Sequence, residues 1–579
     1  MALTSALNMT LNGMMTTELK TTLSSQNIAN ADKEGYTRKS LDTRYLTTSA
    51  GSVPVSGVVV GSSSPFLVAA VVGDISAYTK NLTISNSLDY YSSQLGSTSG
   101  SNTLSSLVDD LYANLKFLAT SPETAANKSE TVNTASNLAN SLRDLSKDVQ
   151  DLRLDAEQKI ATSIDSINAA LDRIDLLNDK IAKNPQNDSS LAEYEDQRNL
   201  ELQGIAKELD IQYFFNSENR LQIYTASGQA LLLSDPHHIS YTVTNVVNGT
   251  TLYPAGFSAI DLDGVDQTSF ITGGNLGGLI ELRDNIYVGE QQKLDELATT
   301  LQTTVNTILN TGASIPPRNL MEGSLQGLAA GTAFTAAGSI RVAVTDNSGT
   351  IVNYSDINLG AMATVNDVLT ALNGVAGLTA TLNVDGELSI SVAPSTNGVV
   401  INPLNSAVTS STGESFSQYF GLNDLFVGTT AEDIKVSDYL LANPDFLSIA
   451  ALDASVGLVA GDRGVARGDG SVADAVADSL VTNQSFAAAG NFSAQSNTLL
   501  RYAQAYMSDA SSQANIYQGE SDTTYLVYKS SMDLLTSTAG VNVDEETAKM
   551  LVYQNQYEAA AQVIATIQQM LDALIAAMR

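Results

Sequence analysis

The sequence from residue 542 to residue 579 reads NVDEETAKMLVYQNQYEAAAQVIATIQQMLDALIAAMR, and it decides the architecture that we predict. Its apolar residues recur at alternating steps of three and four, which places them on one face of a helix. Asn542 can cap the first turn, and Asp544, Glu545 and Glu546 stand where the helix dipole favours negative charge. The apolar face, named here the C-terminal seam, consists of Met550, Tyr553, Tyr557, Ala560, Ile564, Ile567, Leu571, Leu574 and Met578. Covered by a single partner, such a helix is expected to be only marginally stable.

A second apolar stripe lies at the other end of the chain. This N-terminal stripe consists of Leu7, Leu11, Met14, Met15, Leu19 and Leu23, and its pattern stops at the polar run 24–27. Residues 1–40 hold four basic and three acidic residues, and residues 541–579 hold two basic and five acidic ones, whereas the whole chain carries a net charge of -33. Near-neutral ends on an acidic body suit ends that are buried in an assembly. We therefore predict that the two terminal helices pair in a coiled-coil-like layer; the alternative is ordinary core helices of one globule.

The composition narrows the possible functions. A chain of 579 residues, 43% of them hydrophobic, has room for three or four domains with real cores. An excess of 62 acidic over 29 basic residues disfavours nucleic acid as a partner, because phosphate is bound by basic patches. The absence of cysteine excludes disulfides, thiolate metal ligands and a cysteine nucleophile. Residues 1–15 lack the features of a cleaved signal peptide, and the apolar run 66–72 is too short to span a bilayer, so we expect neither a cleaved leader nor membrane insertion.

Motifs at both ends resemble one known family. Residues 27–38 read NIANADKEGYTR, and residues 540–546 read GVNVDEE ahead of the C-terminal seam. This pair of motifs resembles the axial proteins of the bacterial flagellum, whose rod, hook and junction members share paired terminal helices. The GYTR at 35–38 and the VYQ at 552–554 are similar to the FlgK family of hook-associated proteins, whereas hook proteins usually carry GFK and AQR there. The motifs GGNLGGL at 273–279 and FSQYFGLNDLF at 416–426 carry the same resemblance.

The resemblance implies a non-enzymatic structural subunit of the flagellum. It implies that the chain is exported unfolded through the flagellar type III apparatus. Outside the cell, the chain is expected to assemble as a homo-oligomeric ring at the hook-filament junction. There it is expected to contact the hook protein and a second junction protein. An export chaperone is expected on the C-terminal segment. Asn27, Asn30, Gly35 and Tyr36 are expected to set the turn that leads out of the inner layer and to complete the assembly interface formed by the two stripes. The alternatives are another axial protein, such as a hook or rod subunit, and a secreted adhesin or enzyme with coiled-coil ends.

The middle of the chain predicts a multidomain α and α+β fold. Apolar residues from 138 to 181 recur mostly at steps of three and four and predict one long helix that stops at 184–185, followed by a second helix from 190 to 209. Alternating residues on both sides of 216–219 predict a hairpin, and helix is predicted again from 279 to 309. Asp385 and Gly386 predict a tight turn, and the glycine-rich run 461–470 predicts a linker. The predicted parts are a terminal helical assembly domain at 1–40 with 541–579, a helical bundle at 41–210 with 279–310 and 472–540, a β-rich segment at 211–278, an α+β outer insert at 338–400, and a mixed segment and linker at 401–471.

Candidate catalytic and metal sites in the sequence are weak. His237 and His238 are adjacent on a loop, which does not form the two-histidine face that zinc binds. The run 261–266 mimics part of a calcium loop but has glycine at the wrong position, so we interpret it as a surface turn. The glycines at 273–278 lack the spacing of a dinucleotide or phosphate loop and favour helix packing or a tight turn. We therefore predict no catalytic residue, no cofactor and no metal.

Overall fold

The computed structural model describes residues 2–48, 51–62, 64–96, 103–183 and 190–577. Within them the chain has a multidomain α and α+β fold, as predicted: long helices alternate with small antiparallel sheets. The helices are α1 Ala2–Ala29, α2 Pro65–Leu95, α3 Leu104–Thr120, α4 Ala125–Lys183, α5 Leu191–Glu208, α6 Gly274–Glu281, α7 Tyr287–Leu309, α8 Val365–Asn373, α9 Phe416–Phe420, α10 Asp438–Ala442, α11 Ser471–Val481, α12 Leu499–Ala539 and α13 Val543–Ala577.

The strands are short and pair antiparallel with neighbours in eight small sheets among the described residues. They are β1 Lys39–Thr48, β2 Gly51–Gly61, β3 Ile211–Phe215, β4 Leu221–Thr225, β5 Ala230–Leu232, β6 Ile239–Ser240, β7 Asp261–Leu262, β8 Val265–Asp266, β9 Leu320–Glu322, β10 Ala336–Ala337, β11 Ser339–Asp346, β12 Ile351–Asn358, β13 Leu378–Leu382, β14 Leu388–Val392, β15 Asn397–Asn402, β16 Ala407–Val408, β17 Phe426–Val427, β18 Lys435–Val436, β19 Gln484–Phe486 and β20 Gln495–Asn497. The β1–β2 hairpin pairs Lys39 with Gly61 and has an irregularity after Asp42.

The chain forms two compact units, and the first contains both termini: Met1–Ser87, Arg153–Asp284 and Ala514–Arg579. Its core is built from one face each of α2, α4 and α5 together with the β3–β4–β5 sheet, and the end of α12 closes it through Leu535 and Ala539. The glycines at 273–278 serve helix packing, as predicted: a Cβ on Gly274, whose φ is +70°, would lie 2.4 Å from the carbonyl carbon of Glu208. The first unit positions the terminal helices.

The second unit comprises Leu88–Leu152 and Asn285–Gln513. Its larger core lies in an α+β domain formed by the β12–β11–β15 and β13–β14–β9 sheets with α8, and by the aromatic side chains of Phe334, Phe416 and Phe420. A tight turn at Asp385 and Gly386 joins β13 to β14, as predicted. The stretch 461–470, predicted as a linker, contacts this domain, because Gly464 N donates to Gly349 O at 2.9 Å.

Several local predictions are confirmed. Helix α13 begins after Asn542, whose Oδ1 accepts hydrogen bonds from the N–H groups of Asp544 and Glu545 at 3.0 and 3.1 Å. The hairpin about 216–219, the long helix over 138–181 and the helix from 190 to 209 are present. The stop predicted for the long helix at 184–185 lies outside the described residues. The division into five parts stays a prediction.

Two helix ends differ from their predictions. Helix α1 continues through the polar run 24–27 to Ala29, because Ser24 and Asn27 find hydrogen-bond partners on α13. The helix predicted from 279 to 309 begins earlier, at Gly274, and passes through a π turn at Leu282–Ile286.

Candidate assembly interface

The two terminal helices, α1 and α13, pack side by side. Near the end of α1, Asn27 donates from Nδ2 to Glu546 Oε2 near the start of α13, at 3.1 Å. Seven residues before Asn27 and seven after Glu546, Lys20 Nζ lies over the ring of Tyr553, 6.0 Å from its centroid. Because residue numbers fall along α1 as they rise along α13, the pair is antiparallel. The predicted pairing of the chain ends is therefore confirmed.

The C-terminal seam is the sheltered side of α13. Ile567 is buried, and a larger set is half-buried: Met550, Tyr553, Ala560, Ile564 and Leu571. Tyr557 and Leu574 remain exposed. Met578 lies outside the described residues. The spacing thus identified the face of α13 that turns inward, while its role in assembly stays a prediction.

The end of the N-terminal stripe packs on β2 and α5. Leu23 is buried in a cluster with Val59 of β2 and Ala192 of α5, and Leu19 packs on the same cluster. The role of Leu19, Leu23 and the rest of this stripe in the assembly interface stays a prediction. An amphipathic pattern shows which face of a helix is buried but does not show what covers it.

The rest of the N-terminal stripe is less enclosed. Leu7 and Met14 are half-buried, whereas Leu11 and Met15, one helical turn apart, are exposed. A leucine and a methionine side by side at a helix surface favour removal from water by a further partner.

Asn27 holds the end of α1 in place through all of its polar atoms. Its Oδ1 accepts hydrogen bonds from Lys39 N at 2.9 Å and from Tyr36 Oη at 3.0 Å. Its Nδ2 donates to Lys39 O at 2.9 Å as well as to Glu546. The side chain is fully buried, so each of these groups would lose its partner without it. Asn27 therefore joins α1, the turn after it and α13.

Lys39 and Asp196 form a buried ion pair beside Asn27. Lys39 Nζ also donates to Ala192 O at 2.8 Å, and Asp196 accepts from Thr37 N at 3.0 Å and Thr37 Oγ1 at 2.6 Å. The pair anchors the start of β1 to α5. Sequence reasoning missed it, because the two residues are 157 positions apart and neither belongs to a motif.

The pKa values of two ionisable groups beside Asn27, Glu546 and Tyr36, are shifted in opposite directions. Burial would raise the pKa of the Glu546 carboxyl, but the hydrogen bonds from Asn27 and Lys549 lower it below its ordinary value. Burial, reinforced by the negative charge of Asp196, raises the pKa of Tyr36 to about 12. Glu546 is thus held charged and Tyr36 neutral, which is the state that their hydrogen bonds with Asn27 require.

The other two predicted turn residues have smaller roles. Gly35 has a φ of +74°, a left-handed conformation that favours glycine, and a Cβ there would contact Leu200 at 3.5 Å. Asn30 Nδ2 donates only to Gln26 O, at 2.8 Å, one turn back along the chain. The turn thus depends on Gly35 for its shape and on Asn27, not Asn30, for its anchoring.

A second apolar face of α13 was missed by the sequence reasoning. Val552, Val563 and Met570 are exposed and follow one another at steps of eleven and seven residues, within about 20° on a helical wheel. They lie roughly 90° from the C-terminal seam.

The stretch Leu499–Ala577 holds a helical window that is long and apolar enough to cross a membrane, and only 6% of that window is buried. The expectation of no membrane insertion stays a prediction.

The weak candidate sites of the sequence are separate from this interface. His237 Nδ1 lies 2.6 Å from Asp263 Oδ2, and His238 Nε2 lies 2.8 Å from Asp172 Oδ1, so each histidine has a carboxylate of its own. The run 261–266 is a two-strand turn with Asp263 and Gly264 at positive φ, as predicted. Among the residues that the structure describes, no three His, Asp or Glu side chains cluster as metal ligands do.

Comparison with known proteins gives two family matches and a structural likeness. Residues 93–327 match the model "Flagellar hook-associated protein FlgK helical domain", and residues 536–577 match "Flagellar basal body rod FlgEFG protein C-terminal". The flagellar hook junction protein FlgK from Burkholderia pseudomallei is similar in structure, with a TM-score of 0.51 and 14% identity, over 81% of this chain and 99% of that one. At that identity the likeness shows the fold. No curated protein matches the chain.

Proposed function

This chain is a member of the FlgK family of flagellar hook-associated proteins, and from that premise we propose that it forms the junction between hook and filament as a non-enzymatic structural subunit. In this proposal it is exported through the flagellar type III apparatus and polymerises as a ring through α1 and α13. Hook protein lies on one side of the ring, and a second junction protein lies on the other.

One observation supports polymerisation through the ends above all. The two ends of the chain meet as an antiparallel pair that leaves apolar side chains exposed on both helices. Exposed on α1 are Leu11 and Met15, and exposed on α13 are Val543, Leu551, Val552, Tyr557, Val563, Met570, Leu574 and Ile575. Large apolar side chains that are exposed together on one pair of helices favour an interaction site. Neighbouring copies in a ring would cover it.

The same observation supports folding that is completed by assembly. Of the described side chains of α13, only Glu546 and Ile567 are buried, so α1 shelters little of the helix. Ordering a helical residue costs about 1.5 kcal/mol, which burial of this extent does not offset. The free halves of the pair, far from Asn27, are therefore ordered fully when other copies bury their remaining faces.

Before export, the apolar stripes of the chain must be kept from associating with other copies. Uncovered apolar stripes would associate prematurely in the cytosol, and an export chaperone that covers the C-terminal segment meets that need. The net charge of -33, carried almost entirely by the middle of the chain, keeps the waiting subunits apart.

Truncation tests the proposal directly. We expect a variant without residues 550–579 to keep a folded, soluble middle, to leave the hook tip unoccupied and to release filament subunits into the medium. Electron microscopy of the hooks and assay of the medium measure this, with the full chain restored as the control. Filaments that remain attached to hooks made with the truncated chain would contradict polymerisation through α13.

A hook or rod subunit is the second candidate, because residues 536–577 match the rod-family C-terminal model. Immunogold labelling of the assembled flagellum separates the two. A label confined to the boundary of hook and filament supports the junction, whereas a label along the hook or within the rod supports the alternative.

A further inference from the structure

A half-open cavity of about 240 Å³ lies beside the turn that contains Gly35. Much of its lining is apolar, contributed by Val68, Leu200, Leu535 and Val541, and Thr536 lies among the lining residues at an exposed position. All the lining residues belong to the first unit. An apolar cavity of about 150 Å³ in a protein core holds a benzene molecule, so a phenylalanine ring fits in this one.

Phe66 is the side chain of the first unit that most needs such a site. It is 80% exposed, more than any other phenylalanine or tyrosine among the described side chains. It lies in the first turn of α2, one residue after Pro65. A phenylalanine left in water forgoes the stabilisation of burial, and buried aromatic anchors dominate the energetics of interfaces.

Phe66 and the cavity face in directions that suit a closed ring of subunits. Phe66 and Val68 are two residues apart on α2, so their side chains leave the helix about 200° apart, in nearly opposite directions. Val68 lines the cavity on one side of α2, and Phe66 stands out on the other. A knob and a hole on opposite sides of one element make a head-to-tail contact, and such contacts repeat around a ring.

We propose that Phe66 of one copy inserts into this cavity of the next copy, so that the cavity is a subunit contact of the assembled ring. The inference rests on the proposed function, because it assumes that copies of the chain meet side by side. It adds a contact outside the paired terminal helices, next to the turn that Asn27 and Gly35 fix. The contact would set the angle between neighbouring copies.

Disulfide trapping tests the contact, and the natural chain is free of cysteine, so introduced thiols have no competitors. The F66C/T536C variant places one thiol at the knob and one at the cavity rim, both at exposed positions. The variant replaces the natural chain in cells, the flagella are sheared off and oxidised, and the products are separated without reductant. We expect a ladder of covalent multimers, whereas F66C alone, T536C alone and F214C/T536C stay monomeric. Phe214 is the matched control because it is another exposed phenylalanine of the first unit.

A second measurement does not depend on thiol geometry. We expect F66A to raise the concentration of subunit needed for junction formation by about tenfold or more, F66L to raise it less, and F214A to leave it unchanged. Multimers of equal yield in the F214C control, or no ladder from F66C/T536C in flagella that contain the chain, would overturn the contact. The absence of the natural chain from flagella would overturn the proposed function instead.

Discussion

Asn27 and Glu546 are 519 positions apart in the sequence, yet they share a buried hydrogen bond of 3.1 Å that ties one end of the chain to the other. The same asparagine also bonds the backbone of Lys39 and the hydroxyl of Tyr36. One side chain therefore joins the end of α1, the turn after it and the first turn of α13.

Replacement of Asn27 by alanine should lower the free energy of unfolding of the first unit by about 2 to 4 kcal/mol. The variant leaves the buried backbone N–H and C=O of Lys39 without the partner that Asn27 supplies and removes one of the hydrogen bonds to the carboxylate of Glu546. Each buried group left unsatisfied costs about 1 to 3 kcal/mol. Urea titration followed by circular dichroism measures it. The matched control is N30A, which removes one local bond and should cost less than about 0.5 kcal/mol. Equal effects of N27A and N30A would contradict the anchoring role.

The sequence predicts periodic features well and partners poorly. The cap at Asn542 and the three- and four-residue steps of the C-terminal seam are local, so they suffice to locate α13 and its inner face. The burial of Leu23 against Val59 and Ala192 depends on where β2 and α5 lie in space, which no local pattern contains. The stripe therefore includes a residue that is buried, Leu23, but its pattern does not identify β2 and α5 as the elements that cover it.

Other features were missed for physical reasons. Strand β12, with the sequence IVNYSDIN, is recognisable only from its pairing with β11, because its burial does not alternate. The Lys39–Asp196 pair joins isolated charged residues that look like ordinary surface charges in the sequence. The second face of α13 was missed because its exposed residues Val552, Val563 and Met570 are eleven and seven positions apart. An amphipathic face is recognised by apolar residues at every turn, and this face has one only every two or three turns.

Hydrogen exchange of the free subunit should show a gradient along the terminal helices. Residues 23–39 are held by buried contacts with α5 and β2, whereas Ile567 is the only buried side chain among the described ones in 3–15 and 555–577. We expect amides of the first range to exchange slowly and those of the other two to exchange within seconds. In assembled flagella all three ranges should be protected. Full protection of both ends in a dilute monomer would refute folding completed by assembly.

Replacement of Lys39 by methionine should cost about 3 to 5 kcal/mol of stability, because it leaves the buried carboxylate of Asp196 without its counter-ion. Lys33 offers the matched control, since its ion pair with Glu193 at 2.7 Å is largely exposed. K33M should cost less than about 1 kcal/mol. Thermal or urea unfolding of both variants measures the difference, and a K39M variant as stable as K33M would show that the buried pair is not an anchor.

Stability at alkaline pH should report the state of Tyr36. Its pKa in the folded chain, about 12, is above the ordinary value of 10.0, so folding favours the neutral phenol. The stabilisation is complete below pH 10 and is lost as the pH rises from 10 to 12. Y36F lacks this titration, so the natural chain should be the more stable at pH 8 and the gap should shrink over that range. A gap that widens would contradict the assigned direction of the shift.

Substitutions on the second face of α13 should act on assembly and not on the stability of the subunit. Val563 and Met570 are exposed and lie to one side of the C-terminal seam, so V563Q/M570Q leaves the seam intact and should change the stability of the subunit by less than about 0.5 kcal/mol. In a ring, the same substitutions would bury two unpaired amides, which strongly disfavours association. We therefore expect a folded, exported subunit that does not form the junction. N555A/Q562A, on the polar face of the same helix, is the control and should assemble. Junctions formed normally by V563Q/M570Q would mean that neighbouring copies do not cover this face, and the exposed apolar side chains of α13 would then require another partner.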